Sequence, residues 1–143
     1  MEIRELVGRY QTAMNTVYRS VHTILKERID SEVSIEQFST LQYIHTHKNC
    51  TSTEIAQTFA IGKSTVTAQV NRLFDKKLIE RIRDNNDRRN VYLHLTDKGV
   101  ELVNDTEEKL YAAIGEHLAS FDEQEILSFI QSLEKLAAKM EKN

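Results

Sequence analysis

The spacing of apolar residues changes abruptly in the middle of this chain, and that change limits the fold more than any other feature. Within residues 62–77 the apolar side chains of Val66, Val70 and Leu73 recur every three or four positions, the spacing of one helix face. Within residues 91–95 apolar side chains alternate with polar or aromatic ones, which is typical of a strand with one buried face. The sequence therefore predicts a helix followed closely by β structure.

Two short strands and a polar loop account for that β structure. Residues 78–83 alternate in part, and residues 91–95 alternate clearly. The segment between them, DNNDRRN at residues 84–90, consists of residues that favour turns. Together these segments predict a β-hairpin, called here the wing (residues 78–95). The predicted fold class is therefore mainly α with a small β-hairpin wing.

Capping residues mark where the other helices begin. Ser34 and Gln37, and likewise Thr51 and Glu54, have the spacing of a capping box. Thr96 is a good N-cap for a long helix after the wing. We therefore expect helices to begin after Ser34, Thr51 and Thr96.

A tight turn is expected at Ala60-Ile61-Gly62, between the short helix after Thr51 and the helix of residues 62–77. Gly62 is the residue expected to supply a positive φ at this corner. The two helices and their turn have the layout of a helix-turn-helix. With the wing, they predict a winged helix-turn-helix over residues 31–96.

Both ends of the chain carry long amphipathic patterns. Residues 1–30 and 97–143 place apolar residues at helical spacing, with a final helix expected near Asp122. The chain contains no proline and four glycines, a composition that permits uninterrupted helices. Because these apolar stripes need a partner, and a second copy is the simplest one, residues 1–30 and 97–143 are predicted to form a helical dimerisation region.

Bulk properties favour an intracellular globular protein. The chain has 143 residues, of which 40% are hydrophobic and 29% charged, as in an ordinary single domain. Its one cysteine cannot form an internal disulfide. No apolar run suits a membrane span or an export signal. We therefore expect a cytoplasmic protein with no membrane partner.

Charge is distributed unevenly along the chain. Residues 62–90 contain eight Lys and Arg and four Asp and Glu, a net charge of +4, whereas the whole chain has −3. The rest of the chain therefore carries −7. One compact basic face on an acidic protein is expected to meet a polyanion at one place.

The second helix of a helix-turn-helix enters the major groove of DNA. The DNA-contacting residues predicted on that helix are Lys63, Ser64, Thr65, Thr67, Ala68, Gln69 and Arg72. In the wing, Arg88 and Arg89 suit a narrow, electronegative minor groove. Asp87 is predicted to pair with an arginine and to hold the loop in shape. The predicted partner is a double-stranded DNA operator.

The sequence resembles the MarR family of transcriptional regulators. Asp87-Arg88-Arg89 followed by Leu95-Thr96-Asp97-Lys98-Gly99 is similar to that family's D-x-R … L-T-x-x-G pattern. Upstream, residues 64–67, 72–73 and 78–81 resemble its recognition helix and first wing strand. The chain departs from the pattern at Ala68, where a basic or larger polar residue is frequent, and at Lys77, where a helix-ending glycine is common.

Membership would imply a dimeric winged-helix regulator that binds pseudo-palindromic operators, often as a repressor. Many members release DNA when a small anionic or aromatic effector binds between the dimerisation and DNA-binding regions. By analogy with them, an effector pocket is expected where the first, second and fifth helices meet. The side chains expected to line it are Tyr18, His22, Phe38 and Tyr43.

Three alternatives remain at this point. The winged helix could serve protein–protein contacts instead of DNA. The regulator could respond to oxidants through Cys50 or to a metal through His45 and His47, although Lys48 is the only cation near the thiol and a metal needs three or four ligands. A structural thiol and no metal site are the favoured interpretations. No cofactor or catalytic residue is predicted, because the sequence contains none of the usual catalytic motifs.

Overall fold

The computed structural model describes residues 1–28 and 32–141. Its helices and strands are α1 (Ile3–Thr23), which continues into a π-helical turn (Ile24–Arg28), α2 (Ile35–Thr46), α3 (Ser52–Phe59), α4 (Lys63–Asp75), β1 (Ile79–Arg83), β2 (Val91–Leu95), α5 (Asp97–Leu118) and α6 (Glu123–Glu141). This confirms the predicted fold class, a mainly α chain with a β-hairpin. No helix within the described ranges combines the length and the apolar character needed to cross a bilayer.

The chain divides into two compact units, Met1–Leu110 and Tyr111–Asn143. The predicted helix-turn-helix and the wing lie in the first. The assignment of residues 1–30 and 97–143 to a dimerisation region, and of residues 31–96 to a DNA-binding region, stays a prediction. Residues 29–31 and 142–143, which fall at the edges of those regions, lie outside the described residues.

The two predicted capping boxes have different outcomes. Ser34 forms both reciprocal bonds of the box, since its Oγ accepts from the amide of Gln37 and its own amide donates to the Gln37 side chain, both at 3.2 Å. Thr51 Oγ1 accepts from the amide of Glu54 at 3.2 Å, as predicted. The Glu54 carboxylate, however, accepts from the hydroxyl of Tyr43 at 3.0 Å. The second box is therefore half formed, because a tertiary contact with α2 takes the carboxylate.

The turn between α3 and α4 places its left-handed residue at Ala60. Ala60 has φ 53°, and the amide of Ile61 donates to the carbonyl of Ala56 at 3.1 Å. This is the bonding of a Schellman motif, in which the residue directly after the helix is left-handed. Gly62 has φ −69° and is the extended N-cap of α4. The expectation of a positive φ at Gly62 is therefore wrong, because ending α3 requires that conformation two residues earlier.

The core of the first unit joins the helix-turn-helix to the wing. Leu41 of α2, Ile55 of α3, Leu73 of α4 and Leu93 of β2 are at most 2% exposed. Full burial of one such side chain contributes about 1.5–3 kcal/mol. The wing strands pair antiparallel with Arg81 opposite Leu93, so one wing strand packs on the same core as the helices.

The connection between α2 and α3 also binds the wing, through its second strand. The amide of Leu93 donates to the carbonyl of Cys50 at 2.8 Å, which forms a β-bridge. Cys50 is fully buried there. The segment just before α3 therefore pairs with the second wing strand.

The start of α5 closes against the junction between α4 and β1. Thr96 Oγ1 accepts from the amide of Gly99 at 3.1 Å, which confirms Thr96 as an N-cap. Its hydroxyl donates to the carbonyl of Lys77 at 2.6 Å, and its amide donates to the carbonyl of Leu78 at 3.0 Å. A Cβ on residue 99 would overlap the Leu78 carbonyl oxygen. Position 99 therefore requires glycine, because the backbone of α5 lies directly against the backbone at Leu78.

Lys77 ends α4 in the left-handed conformation, with φ 64°. Its amide donates to the carbonyl of Phe74 at 2.9 Å, and the amide of Leu78 donates to the carbonyl of Leu73 at 3.0 Å. These are again the bonds of a Schellman motif. Lys77, the position at which the family pattern commonly has a helix-ending glycine, therefore holds a conformation that a non-glycine residue adopts at a cost.

We predict that Lys77→Gly raises the free energy of unfolding by about 1 kcal/mol, because glycine adopts a positive φ without the Cβ penalty. The measurement is urea unfolding of both proteins at the same chain concentration. Lys77→Ala is the matched control: it removes the same side chain but keeps the Cβ. Equal stabilisation by both variants would show that the lysine side chain, and not the backbone conformation, lowers the free energy of unfolding.

Candidate nucleic-acid interface

Helix α4 presents most of the predicted contact residues to solvent. Its apolar face, Val66, Val70 and Leu73, is buried against the rest of the first unit. The predicted contact residues that are exposed on the helix are Lys63, Ser64, Thr65, Thr67 and Arg72. Ala68 and Gln69 are half-buried. The exposed set starts at the first turn of α4, where an anionic ligand meets the positive end of the helix dipole.

The first turn of α4 has amide groups available for phosphate. Gly62 is the N-cap and has no side chain to accept from them, while its carbonyl accepts from the amide of Val66 at 3.1 Å. The amides of Lys63, Ser64 and Thr65 precede that first intrahelical bond. Such amides, together with the helix dipole, suit a DNA phosphate.

Two predicted base-contacting side chains are partly engaged inside the protein. Thr67 donates its hydroxyl proton to the carbonyl of Lys63 at 2.9 Å, which leaves its methyl group and oxygen lone pairs for DNA. One end of the Gln69 amide lies 3.1 Å from the hydroxyl of Thr40 in α2. A bidentate contact with adenine needs both ends of that amide, and the contact with Thr40 leaves Gln69 only one free end.

Arg81 connects the wing to α4. This residue of β1 donates to Asn71 Oδ1 of α4 at 2.6 Å, and its guanidinium lies 4.4 Å from the centre of the Phe74 ring. A cation over an aromatic face is favourable. Arg81 was not singled out from sequence, because Asn71 and Phe74 lie on a different element and only packing brings them to it. Arg81 therefore positions the wing, while Arg72 stays exposed on α4.

The wing loop is built around Asp84. Its carboxylate accepts from the amide of Asn86 at 2.9 Å and from the hydroxyl of Tyr92 at 2.9 Å. The Asn86 amide, and then the Tyr92 hydroxyl, hold the pKa of Asp84 below its ordinary value of 3.8. Neither Asp84 nor Tyr92 was singled out from sequence, although an aspartate at the start of a polar loop is a known turn signal.

Asp87 and Arg89 form an ion pair at the wing tip. Arg89 donates its Nε and one terminal nitrogen to the two carboxylate oxygens of Asp87, at 3.1 and 3.2 Å. That pairing lowers the pKa of Asp87. The Arg89 side chain remains 91% exposed. The backbone carbonyl of the neighbouring Arg88 accepts from Arg83 at 2.7 Å, which fixes the loop from the first strand.

Two of the residues predicted for an effector pocket lie near the start of α2. The hydroxyl of Tyr18 donates to the Glu36 carboxylate at 2.8 Å, and this bond lowers the pKa of Glu36 and raises that of Tyr18. His22 is exposed and contributes a smaller electrostatic lowering of the pKa of Glu36. Both side chains are therefore at the surface of the lone chain.

The other two pocket residues lie elsewhere on α2. Phe38 is 3% exposed and is a core residue. Tyr43 stacks on His47 with ring centres 3.8 Å apart, and its hydroxyl is bound to Glu54. The four side chains thus occupy three different environments, and the effector pocket stays a prediction.

The oxidant and metal alternatives gain no support from the geometry. Burial raises the pKa of the Cys50 thiol to about 11, whereas oxidant-sensing thiols are exposed and acidic. Ring nitrogen Nδ1 of His47 lies 3.0 Å from the carbonyl of Tyr43. In residues 1–28 and 32–141, no group of three or more His, Cys, Asp or Glu could hold a metal ion. His45 and His47 therefore gain no third ligand from Cys50.

We predict that Tyr92→Phe shifts the titration of Asp84 upward, toward 3.8, because the phenol hydroxyl stabilises the ionised carboxylate. Because the pKa of Asp84 is lowered in the folded state, the ionised carboxylate stabilises the wing above pH 3.8. That stabilisation is lost as the pH falls through the folded-state pKa. The measurement is the carboxyl carbon shift of Asp84 by NMR against pH. Tyr111→Phe, an exposed tyrosine of α5, is the control. An unchanged midpoint in Tyr92→Phe would contradict the assigned bond.

Comparisons with known proteins identify the family of this chain. The model of the MarR family matches residues 33–91. The chain is 30% identical over 106 residues to the uncharacterized HTH-type transcriptional regulator YsmB of Bacillus subtilis, covering 74% of this chain and 73% of that protein. It is 26% identical over 134 residues to the HTH-type transcriptional repressor MdtR of Bacillus subtilis, covering 93% and 86%.

The whole described fold also has a solved counterpart. The structure of Streptococcus pneumoniae FabT in complex with DNA superposes with a TM-score of 0.81 at 25% identity, covering 99% of both chains. The relatives are named as transcriptional regulators, which agrees with the prediction that the chain is not an enzyme. The family model, the relatives and the fold agree with the resemblance found in the sequence, and the chain belongs to the MarR family of transcriptional regulators.

Proposed function

We propose that this regulator binds a pseudo-palindromic DNA operator as a homodimer and represses transcription. The observation that carries the proposal is the exposed polar and basic face of α4, fixed to a basic wing by the Arg81–Asn71 bond of 2.6 Å. The same fold in FabT is seen with DNA, and the relative MdtR is named a repressor.

In this proposal each copy places α4 in the major groove and its wing in the flanking minor groove. Lys63 and Arg72 contact phosphates at the start and in the last turn of the helix, since both are exposed there. Ser64 and Thr65 bring backbone amides to phosphate, while Thr67, Ala68 and Gln69 face base edges. Two copies related by a two-fold axis would present their helices about one helical turn of DNA apart.

The wing contacts DNA through Arg88 and Arg89. Asp87 orients the guanidinium of Arg89 through two hydrogen bonds, so the arginine reaches DNA with less loss of side-chain freedom. Arg83 and Asp84 hold the loop backbone on either side. A preorganised arginine suits the electronegative minor groove of A·T-rich DNA.

Dimer formation is supported by apolar helix faces that the lone chain leaves in solvent. Neither α1 nor α6 has a buried residue. Large hydrophobic side chains that are exposed on α1 are Ile3, Leu6, Val7, Tyr10, Val17 and Tyr18. Those exposed on α6 are Leu127, Phe129, Ile130, Leu136 and Met140. Faces of this size are costly in water and favour a second copy as their cover.

The competing hypothesis is a winged helix used for protein contacts. The two hypotheses differ in the salt dependence of binding. DNA binding releases counterions, so its affinity falls steeply as the salt concentration rises. The first test is a fluorescence-anisotropy titration with DNA from upstream of this chain's own gene and with a scrambled duplex, each at two salt concentrations. Selective, salt-sensitive binding supports the proposal. Absence of binding to either duplex at low salt would contradict it.

We predict that Arg89→Ala weakens DNA binding and reduces the slope of log affinity against log salt by about one for each wing that contacts DNA. The measurement is the same titration over a range of salt. Lys109→Ala is the control, because it removes a cation on α5 that pairs with Asp105 at 3.0 Å. An unchanged affinity in Arg89→Ala would remove the wing from the mechanism.

We predict that Ile130→Glu converts the dimer into monomers, because it places a charge in the apolar stripe of α6. Ser128→Glu, two residues earlier and off that stripe, adds the same charge as a control. Sedimentation velocity at matched concentrations measures both. A dimer that survives Ile130→Glu unchanged would exclude this stripe as the interface.

Release of DNA by a small anionic or aromatic effector remains a prediction from family resemblance. Isothermal titration with salicylate-like phenolic acids tests it, with Tyr18→Phe as the first variant, because it removes the hydroxyl that binds Glu36. Absence of heat and of any change in DNA binding would count against a ligand of that type.

A further inference from the structure

A buried hydroxyl outside the DNA-binding helix faces one of its half-buried side chains. Thr40 of α2 is 2% exposed, and its Oγ1 lies 3.1 Å from Oε1 of Gln69 in α4. The same Oγ1 lies 3.0 Å from the backbone carbonyl of Glu36, one turn earlier in α2. Thr40 therefore joins the helix before the helix-turn-helix to the helix proposed to read DNA.

The chemistry of the hydroxyl limits what Gln69 can do. A threonine hydroxyl has one proton and two lone pairs, whereas a glutamine amide has an accepting end and a donating end. Whichever way Thr40 uses its proton, one end of the Gln69 amide faces it. The other end is left for solvent or DNA, so the side chain cannot grip adenine at both ends.

Gln69 lies where such a restriction matters. It is one turn after Thr65 and one turn before Arg72, and both of these are exposed on α4. When Thr40 donates to the Gln69 amide oxygen, the amide nitrogen is the end left for the groove; when Thr40 donates to the Glu36 carbonyl, the amide nitrogen donates to Thr40 and the amide oxygen is left. In both cases a single donor or a single acceptor cannot match the paired acceptor and donor of adenine, so adenine loses the advantage of a two-bond contact.

We infer that Thr40 is a specificity-determining positioning residue, which sets the base preference of Gln69 without touching DNA. This inference rests on the proposed function, because it requires α4 to lie in the major groove. Loss of the Thr40 hydroxyl frees both ends of the Gln69 amide. The base preference at one pair of each half-site then moves toward adenine, while preferences at the other pairs stay unchanged.

The experiment is affinity selection from duplexes with a randomised centre, carried out with the full chain and with variants. Thr40→Val removes the hydroxyl at nearly constant volume, and Thr40→Ser restores it. Thr46→Val is the matched control on α2, because the Thr46 hydroxyl lies within bonding distance of the Gln42 carbonyl, the Tyr43 carbonyl and the neighbouring His47 ring, and of nothing on α4. Circular dichroism and melting curves verify that each variant is folded.

The expected result is a change of about threefold to tenfold in relative base enrichment at one pair per half-site in Thr40→Val, the size of one hydrogen bond. Thr40→Ser and Thr46→Val keep the original preference. In a Gln69→Ala background, Thr40→Val has no further effect on base preference, because the side chain through which it acts is gone.

Two failures are distinguishable. If the original chain enriches no sequence, the proposed function fails, whatever the variants do. If the original chain enriches a motif and Thr40→Val enriches the same one, Thr40 has no part in specificity and the inference is overturned. A Thr40→Val variant that does not fold leaves the decision to Gln69→Ala: an unchanged motif in that folded variant would overturn the inference equally.

Discussion

The close approach of α5 to the end of α4 is the constraint on which the wing depends. Thr96 bonds to the carbonyls of Lys77 and Leu78 at 2.6 and 3.0 Å, and Gly99 leaves room for the Leu78 carbonyl. The end of α4, the first wing strand and the start of α5 meet at this point. A larger residue at position 99 would push these backbones apart, and the wing would lose its fixed direction relative to α4.

Polar bonds then fix the two parts of the proposed DNA surface to one another. Arg81 links β1 to α4, and Asp84 and Asp87 hold the wing loop from within. These groups are mostly exposed, so each bond adds little to global stability. In the proposed function their effect is preorganisation: the loop and the side chains that it carries have fewer conformations to lose on binding.

The distribution of charge and of apolar surface separates two proposed roles along one chain. The basic residues cluster at 62–90, whereas residues 97–143 carry five Lys and Arg and eleven Asp and Glu. Apolar side chains such as Val17 on α1 and Ile130 on α6 lie exposed in the lone chain. The exposed apolar helix faces are therefore suited to another copy of the chain, and the basic segment to a polyanion.

The sequence alone determined the order of helices and strands, the N-caps at Ser34, Thr51 and Thr96, and the basic segment, because each of these depends on neighbours within a few residues. The Asp87–Arg89 pair was within reach of sequence reasoning for the same reason. The tertiary structure decided the partner of the Glu54 carboxylate, the burial of Cys50 and the contact of Gln69 with Thr40. It also placed the left-handed residue at Ala60 and not at Gly62. Side chains such as Thr40 and Gln69 are far apart in the chain, and only packing brings them together.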